Sequence, residues 1–376
     1  MKRIRVVFAI GGMHGGGSER QLLLLLQHLD RQTFDPVLYL AHRVGPLLQQ
    51  LPEDVPLFVS EERIPQSKLY FPGRIHRLRV RDYADCLRQL KADVSYDRTF
   101  LMTLITAAGA QQAGVPNVST IVTNPETGFA PVAGRFQWLK RRLLHKLYNR
   151  STQVLAVSNG VREAAIRFYG IQPAKIRTLY NGIDLSQIHH AAQQPVTDSW
   201  WLAPPSSPHK SLIRIVAVGR LNHEKGFHLL VEAAQLLTTQ HPQLELRIAL
   251  LGEGSHRTLL QQQIRRTGLE SQIQLPGFQQ HPAAWIASAN ALVLPSLVEG
   301  MPNVLLEALA LCTPVIAADC PSGPAEVLEN GRLGLLVPVA NPAAITQALL
   351  QLLKHPEQTI PRALAGKLAI QQHWTI

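Results

Sequence analysis

The sequence predicts an α/β protein built from two Rossmann-like lobes, and two observations carry that reading. Short β-branched or apolar runs alternate with amphipathic stretches of helical length, first from Ile4 to Tyr180 and again from Ile213 to about Leu353, the pattern of parallel βαβ sheets. The length of 376 residues exceeds one ordinary core and suits two domains of roughly 150–200 residues each. The expected division is a first lobe over 1–185, a linker over 186–211, a second lobe over 212–360 and a short terminal segment over 361–376. The linker is placed where His-Ala-Gln tracts meet Ala203-Pro204-Pro205-Ser206-Ser207-Pro208, a run that cannot hold regular structure for long.

In the first lobe, Ile4–Ile10 reads as a strand, Gly11–Gly17 as a loop, and Ser18–Leu29 as a helix capped by Ser18 with Glu19 in its first turn. Further strands are expected at Pro36–Leu40, Val118–Val122 and Gln153–Val157. The second lobe should contribute strands at Ile213–Val218, Glu245–Leu251, Ala291–Leu294, Val315–Ala318 and Gly334–Val337.

Composition narrows the class. With 46% hydrophobic and 17% charged residues, the chain has ample material for packed cores. No run approaches eighteen apolar residues, and the opening apolar stretch leads straight into the glycine loop, so it is expected to be a first strand and not a signal peptide. Cys86, Cys312 and Cys320 are scattered without metal-finger or CxxC spacing, which points to a reducing compartment, most simply the cytoplasm, and to no bound metal. The net charge of +11 is confined to residues 1–210, which hold 26 Lys/Arg against 15 Asp/Glu. Such an excess suits an anionic membrane surface, a phosphate-bearing acceptor or nucleic acid. Nucleic acid is disfavoured because no recognised module or aromatic single-strand platform accompanies the charge.

Three stretches could carry chemistry. The loop Gly11-Gly12-Met13-His14-Gly15-Gly16-Gly17 places backbone amides and a helix start at a strand's carboxyl end, where anions bind; it lacks both GxGxxG and P-loop order, and a plain tight turn is the alternative. After Ile213–Val218, Gly219-Arg220-Leu221-Asn222-His223-Glu224-Lys225-Gly226 holds two cations five apart that can converge on a diphosphate, unless the loop is merely solvated. The richest stretch runs from Leu294 to Ala310. Gly300 turns the chain, Pro302 suits a helix's first turn, and the amides of Asn303 and Val304 face an anion, while Glu299 and Glu307 can accept hydrogen bonds from sugar hydroxyls. A helix cap at Glu299 and an exposed charge at Glu307 are the bland alternative.

Together these signals resemble the retaining GT-B glycosyltransferases of glycosyltransferase family 4, the glycosyl transferases group 1, across nearly the whole length. The residues that carry the resemblance are Gly16-Gly17-Ser18-Glu19-Arg20, Val157-Ser158-Asn159-Gly160-Val161, Tyr180-Asn181-Gly182-Ile183-Asp184, Val218-Gly219-Arg220-Leu221, Glu224-Lys225-Gly226 and Gly252-Glu253-Gly254. The Glu-x7-Glu pair Glu299 and Glu307 follows, then Pro321-Ser322-Gly323-Pro324-Ala325-Glu326 ahead of Gly334-Leu335-Leu336-Val337-Pro338.

The resemblance implies two lobes facing across a cleft, an acceptor-binding first lobe and a nucleotide-sugar donor site in the second. By that implication Arg220 and Lys225 bind the diphosphate and stabilise the transition state, Glu307 holds ribose hydroxyls, and Glu299 positions the transferred sugar with the amides of Asn303 and Val304. Gly16 and Gly17 approach the phosphates from the first lobe. Gly219, Gly252, Gly300 and Met301 line the donor, with Gly277 and Phe278 near the base. No metal or other cofactor is implied, because arginine, lysine and a helix end replace it. The donor implied is a UDP-sugar, and the acceptor a saccharide or a polyprenyl-diphosphate-linked glycolipid in polysaccharide or lipopolysaccharide assembly.

Arg74, Arg77, Arg79 and Arg81, and the basic helix expected over 135–150 with Phe136, Trp138, Leu139, Leu143 and Tyr148 interleaved, fit an anionic cytoplasmic membrane face; a core-packed helix with a solvated basic side is the alternative. Two departures stand out. Where many relatives carry a histidine, this chain reads Thr123-Asn124, and the helix that usually crosses back to the first lobe is reduced to 361–376. An isomerase of the UDP-N-acetylglucosamine 2-epimerase type shares the two-lobe architecture, and a non-catalytic sugar-nucleotide-binding partner is the remaining alternative.

Overall fold

Thirteen strands form two parallel sheets in a computed structural model that describes residues 2–64 and 73–376. The chain divides into two units, Met1–Asn181 and Gly182–Ile376. In the first unit the strands are β1 (Ile4–Ile10), β2 (Phe34–Leu40), β3 (Leu57–Val59), β4 (Val94–Arg98), β5 (Asn117–Ile121), β6 (Gln153–Ala156) and β7 (Ile176–Thr178), in the order β3-β2-β1-β4-β5-β6-β7. In the second they are β8 (Ser211–Val218), β9 (Leu244–Leu251), β10 (Ile273–Gly277), β11 (Ala291–Leu294), β12 (Val315–Ala318) and β13 (Leu335–Val337), in the order β10-β9-β8-β11-β12-β13.

Both orders reverse between a unit's first and fourth strands, the crevice where open α/β sheets hold ligands at the carboxyl ends of their strands. Parallel strands buried on both faces need apolar side chains on both. β1 meets this by alternation: Val7 and Ala9 pack with Tyr39, Tyr83 and Cys86 on one face, and Val6, Phe8 and Ile10 pack with Leu22, Leu26 and Leu40 on the other. In the second unit, Ile213, Ile215 and Ala217 of β8 pack with Leu230, Leu237 and Leu349. Each such buried aliphatic side chain contributes about 1.5–3 kcal/mol.

Several expectations are corrected. The first helix spans Gly17–His28 with Gly16, not Ser18, at its N-cap, because Gly16 supplies the extended backbone there (φ −71°, ψ 172°). The stretch 186–211 is not an irregular linker. It carries helices Leu185–Ala192 and Ser199–Leu202, whose N-termini are capped by Asp184 and Asp198, and the division falls instead at Asn181/Gly182. Trp201 is fully buried there, and Arg214 and Arg247 hold the carbonyl of Ala203. The terminal segment is a longer helix, Pro356–His373, packed on helix Asn303–Ala310 within the second unit, and Thr375 bridges Ile183. The basic helix expected over 135–150 is present as Gln137–Arg150, and Gly134 (φ +59°) turns the chain between it and the preceding helix Pro125–Ala133.

Candidate active site

In the second unit, the loops after β8 and β11 meet at the switch point. Gly226 makes the meeting possible: its φ is +65°, and a Cβ there would lie 2.1 Å from the carbonyl oxygen of Pro295. The Leu297 amide donates to the Glu224 carbonyl at 2.8 Å, which fixes one loop against the other. The loop after β9 closes the third side. There Gly252 adopts φ +138°, with room for no Cβ beside the Gly219 carbonyl, and the Leu221 amide donates to the Glu253 carbonyl at 2.9 Å.

These contacts bring Lys225 onto Glu299. The Lys225 ammonium donates to Glu299 Oε1 at 2.6 Å, and the Ser296 hydroxyl donates to the same oxygen at 2.7 Å. The side chains are 19% and 8% exposed, so the pair is shielded from water on most sides. Removing one partner of such a pair costs roughly 3–5 kcal/mol, because the other is left buried and unpaired. Ser322 donates to the Glu299 carbonyl at 2.8 Å, and a Cβ at Gly323 (φ +93°) would lie 2.7 Å from the Gly300 carbonyl. Beneath the pair, burial and then the Glu299 charge push the Cys320 thiol up to about 12, so it stays protonated at neutral pH.

Arg220 differs from Lys225. Its guanidinium is 67% exposed and sits 3.7 Å from Glu224, available to an incoming anion. Burial pushes the Glu224 carboxyl up, but hydrogen bonds from its own amide and Asn222, with the charges of Arg220 and Lys225, outweigh it and leave Glu224 below the usual range. Gly219 lies against the Lys225 stem, a Cβ there falling 3.5 Å from its Cδ and Cε. Met301 is buried, so its backbone is what it can offer a ligand. Asn303 and Val304 open the helix Asn303–Ala310 behind Pro302, and Glu307 lies partly exposed one turn along. Gly277 ends β10 at φ +86° with its carbonyl accepting from the Gly252 amide at 2.8 Å, and Phe278 follows, partly exposed. The sequence reading assigned no individual role to Ser296 or Ser322, although Ser322 stands within the Pro321–Glu326 motif and Ser296 three residues before Glu299.

In the first unit, Gly16 and Gly17 stand at the start of helix Gly17–His28, after β1. Thr123-Asn124 precedes helix Pro125–Ala133, where the Asn124 side chain caps the Glu126 amide at 2.9 Å. Charge from both basic segments reaches His76, which is depressed first by burial, then by the charges of Arg79 and Lys140. Leu144, Leu147 and Tyr148 bury one face of the second segment in the unit, whereas Phe136 and Trp138 are 60% and 68% exposed. Among the described residues no helix is long and apolar enough to cross a membrane.

Comparison with known proteins adds identity to this geometry. The family described as glycosyl transferases group 1 matches residues 213–355, and glycosyltransferase family 4 matches residues 15–187. A Campylobacter jejuni relative, N-acetylgalactosamine-N,N'-diacetylbacillosaminyl-diphospho-undecaprenol 4-alpha-N-acetylgalactosaminyltransferase, is 31% identical over 56% of this chain and 53% of its own length. Glycogen synthase of Mycobacterium tuberculosis is 28% identical over 74% of this chain and 64% of its own length. The matches thus span between about half and two thirds of these relatives. The Anabaena protein HepE, crystallised with UDP and glucose, is alike in fold, with a TM-score of 0.78 at 21% identity over 99% of this chain and 96% of its own.

Proposed function

From the premise that the chain belongs to the glycosyl transferases group 1, with the GT-B fold, we propose that it transfers a hexosyl or N-acetylhexosaminyl group from a UDP-sugar. The acceptor is a saccharide or a polyprenyl-diphosphate-linked glycan in cell-surface polysaccharide or glycolipid assembly, and the anomeric configuration is retained. The observation that carries this reading is the convergence of Lys225, Glu299 and Ser296 where the loops after β8 and β11 meet, beside the exposed Arg220. The undecaprenyl diphosphate in the Campylobacter relative's name and the UDP bound to HepE support the donor and acceptor classes.

In the proposed reaction an acceptor hydroxyl attacks the anomeric carbon, the bond to the UDP oxygen breaks, and the hydroxyl proton passes to the departing phosphate. Negative charge grows on the diphosphate as that bond breaks. Arg220 and Lys225 neutralise it, and the amides of Asn303 and Val304 add the positive end of their helix. Fixed cations of this kind take over a metal ion's charge-neutralising task, so turnover is expected to persist in EDTA. Glu299 keeps Lys225 in place until the diphosphate shares it, and Glu307 accepts from donor hydroxyls. The rim of Phe136 and Trp138 among Arg135, Lys140 and Arg142 seats the protein on an anionic leaflet at the cytoplasmic face.

The test is UDP release from a panel of UDP-sugars in EDTA, with and without membrane lipid extract, for the wild type and Arg220→Ala. Arg220 is largely exposed, so its removal leaves the fold alone, and a loss of roughly 10²-fold in extract-dependent release is expected. Release that needs no acceptor is donor hydrolysis and overturns the transfer reading, and a UDP-sugar converted to its epimer without net UDP release overturns it in favour of an isomerase. In the same preparation, sedimentation with anionic vesicles should fall in Trp138→Glu. Equal sedimentation of both proteins removes the membrane part.

A further inference from the structure

We propose that Arg98 forms an oxyanion site in the first unit that takes a phosphate or diphosphate of the acceptor, an inference that rests on the transfer reading above. Arg98 ends β4, the strand beside β1 at this sheet's switch point, where ligands of open α/β sheets gather. Only 4% of the residue is exposed. Its guanidinium donates to the Tyr96 hydroxyl at 3.2 Å and to Asn181 Oδ1 at 3.1 Å, both neutral, and its Nε–H has no partner.

Among the described residues no carboxylate pairs with it, although Asp97 is its neighbour in sequence. Alternation along the strand sends Asp97 to the opposite face, where Thr103, Thr106, Asn117 and Ser119 surround it. Arg98 shares its face with Tyr96, whose ring packs 5.3 Å from Phe8, the face that also carries helix Gly17–His28 and the end of the glycine loop.

A buried guanidinium held only by neutral groups is costly unless an anion completes it. The adjoining backbone is also strained, for Thr99 is β-branched and adopts φ +78°, a conformation that persists where surroundings enforce it and that gathers at functional sites. The class of anion follows from the unit's charge. Residues 1–181 hold 25 Lys/Arg against 13 Asp/Glu, a field that favours a multiply charged phosphate over a single carboxylate. Guanidinium also binds phosphate oxygens through several N–H groups at once.

The full chain, saturated with UDP so that the donor site is filled, would be titrated with inorganic diphosphate by calorimetry. One further anion should bind the wild type, at least tenfold more weakly in Arg98→Gln, which keeps a hydrogen-bonding side chain without the charge, and with partial recovery in Arg98→Lys. No second anion on the wild type, or unchanged affinity in a folded Arg98→Gln, overturns the proposal; should Arg98→Gln fail to fold, Arg98→Lys decides, binding weaker than wild type but detectable supporting it and unchanged affinity overturning it. Because this titration needs no turnover, its failure is separate from failure of the transfer reading. A kinetic arm tells an acceptor-linked diphosphate from the free anion: in Arg98→Lys, KM for a short-chain prenyl-diphosphate acceptor should rise while KM for the UDP-sugar holds. A rise in the donor KM alone would place Arg98 with the donor and overturn its assignment to the acceptor.

Discussion

Glycines in the strand-end loops of the two units answer different demands. In the second, Gly226 and Gly252 have positive φ, and a Cβ on either would strike backbone, the Pro295 carbonyl in one case and the Gly219 carbonyl in the other. In the first, a Cβ at Gly11 would meet nothing within 4 Å, and one at Gly16 would meet only the carboxylate tip of Glu19, at 2.6 Å. Gly226 and Gly252 are demanded by how the second unit's loops interlock, and Gly11 and Gly16 are not, although Gly15 of the same loop needs glycine for its φ of +94°. Packing thus accounts for Gly226 and Gly252, and leaves Gly16 to be tested for the proposed ligand. The largest expected effect tests the packing half. Gly252→Ala should lower the unfolding free energy by about 3–5 kcal/mol, from a forbidden backbone angle and a steric overlap that must be relieved together. An unfolding free energy from denaturant titration lowered by less than about 1 kcal/mol would break the contrast.

The same contrast sets what could be read from the sequence. β1, β11 and β12 were readable to the residue, since both faces of each are apolar and continuous runs announce them. β4 was not, because its Val-Ser-Tyr-Asp-Arg looks like surface; Ser95 and Asp97 are buried in a hydrogen-bonded set that no hydrophobic pattern reveals. β10 was missed for its Pro276 and the register shift before Gly277, and β3 and β7 for being three residues long. The helices within 186–211 were hidden by the prolines that follow them. In the candidate site, Arg220, Lys225, Glu299 and Glu307 were singled out by motif order and spacing, and the structure gathers Lys225 and Glu299 beside the loop of Arg220. The Lys225–Glu299 contact was not, since it depends on Gly226 meeting Pro295 across 69 positions of sequence. Arg98 gave no signal, because its importance lies in what is missing around it.

A second, smaller effect contrasts the two buried carboxylates. Glu299 is answered by a cation and Asp97 only by neutral donors. Burial pushes the Asp97 carboxyl up to about 6, against hydrogen bonds from Thr103, Ser119, Thr106 and Asn117 that pull it down. Its folded value therefore lies above its unfolded one, so the protonated form favours folding. That stability is complete below about pH 4 and lost as the pH rises through about 6. The stability of wild type relative to Asp97→Asn should thus be greater at pH 5 than at pH 7.5, by on the order of 1 kcal/mol. Urea unfolding of both proteins at the two pH values measures it, and a difference that ignores pH would mean the hydroxyl donors hold the ionised carboxylate fully.

The smallest effect tests the ligand half of the comparison. Gly16 sits at φ −71° and ψ 172°, angles open to alanine, and the Glu19 tip can swing away from an added methyl. Replacing an N-cap glycine by alanine costs less than about 1 kcal/mol, so Gly16→Ala should unfold close to the wild type. If the proposed donor phosphates approach this backbone, the methyl occupies the space they need. Transfer should then fall by roughly tenfold, about 1.4 kcal/mol, with stability nearly unchanged. Normal transfer by a stable Gly16→Ala would mean that no ligand comes within a methyl's reach of Gly16. The glycine loop of the first unit would then be a simple turn into helix Gly17–His28, and anion binding in that unit would rest on Arg98 alone.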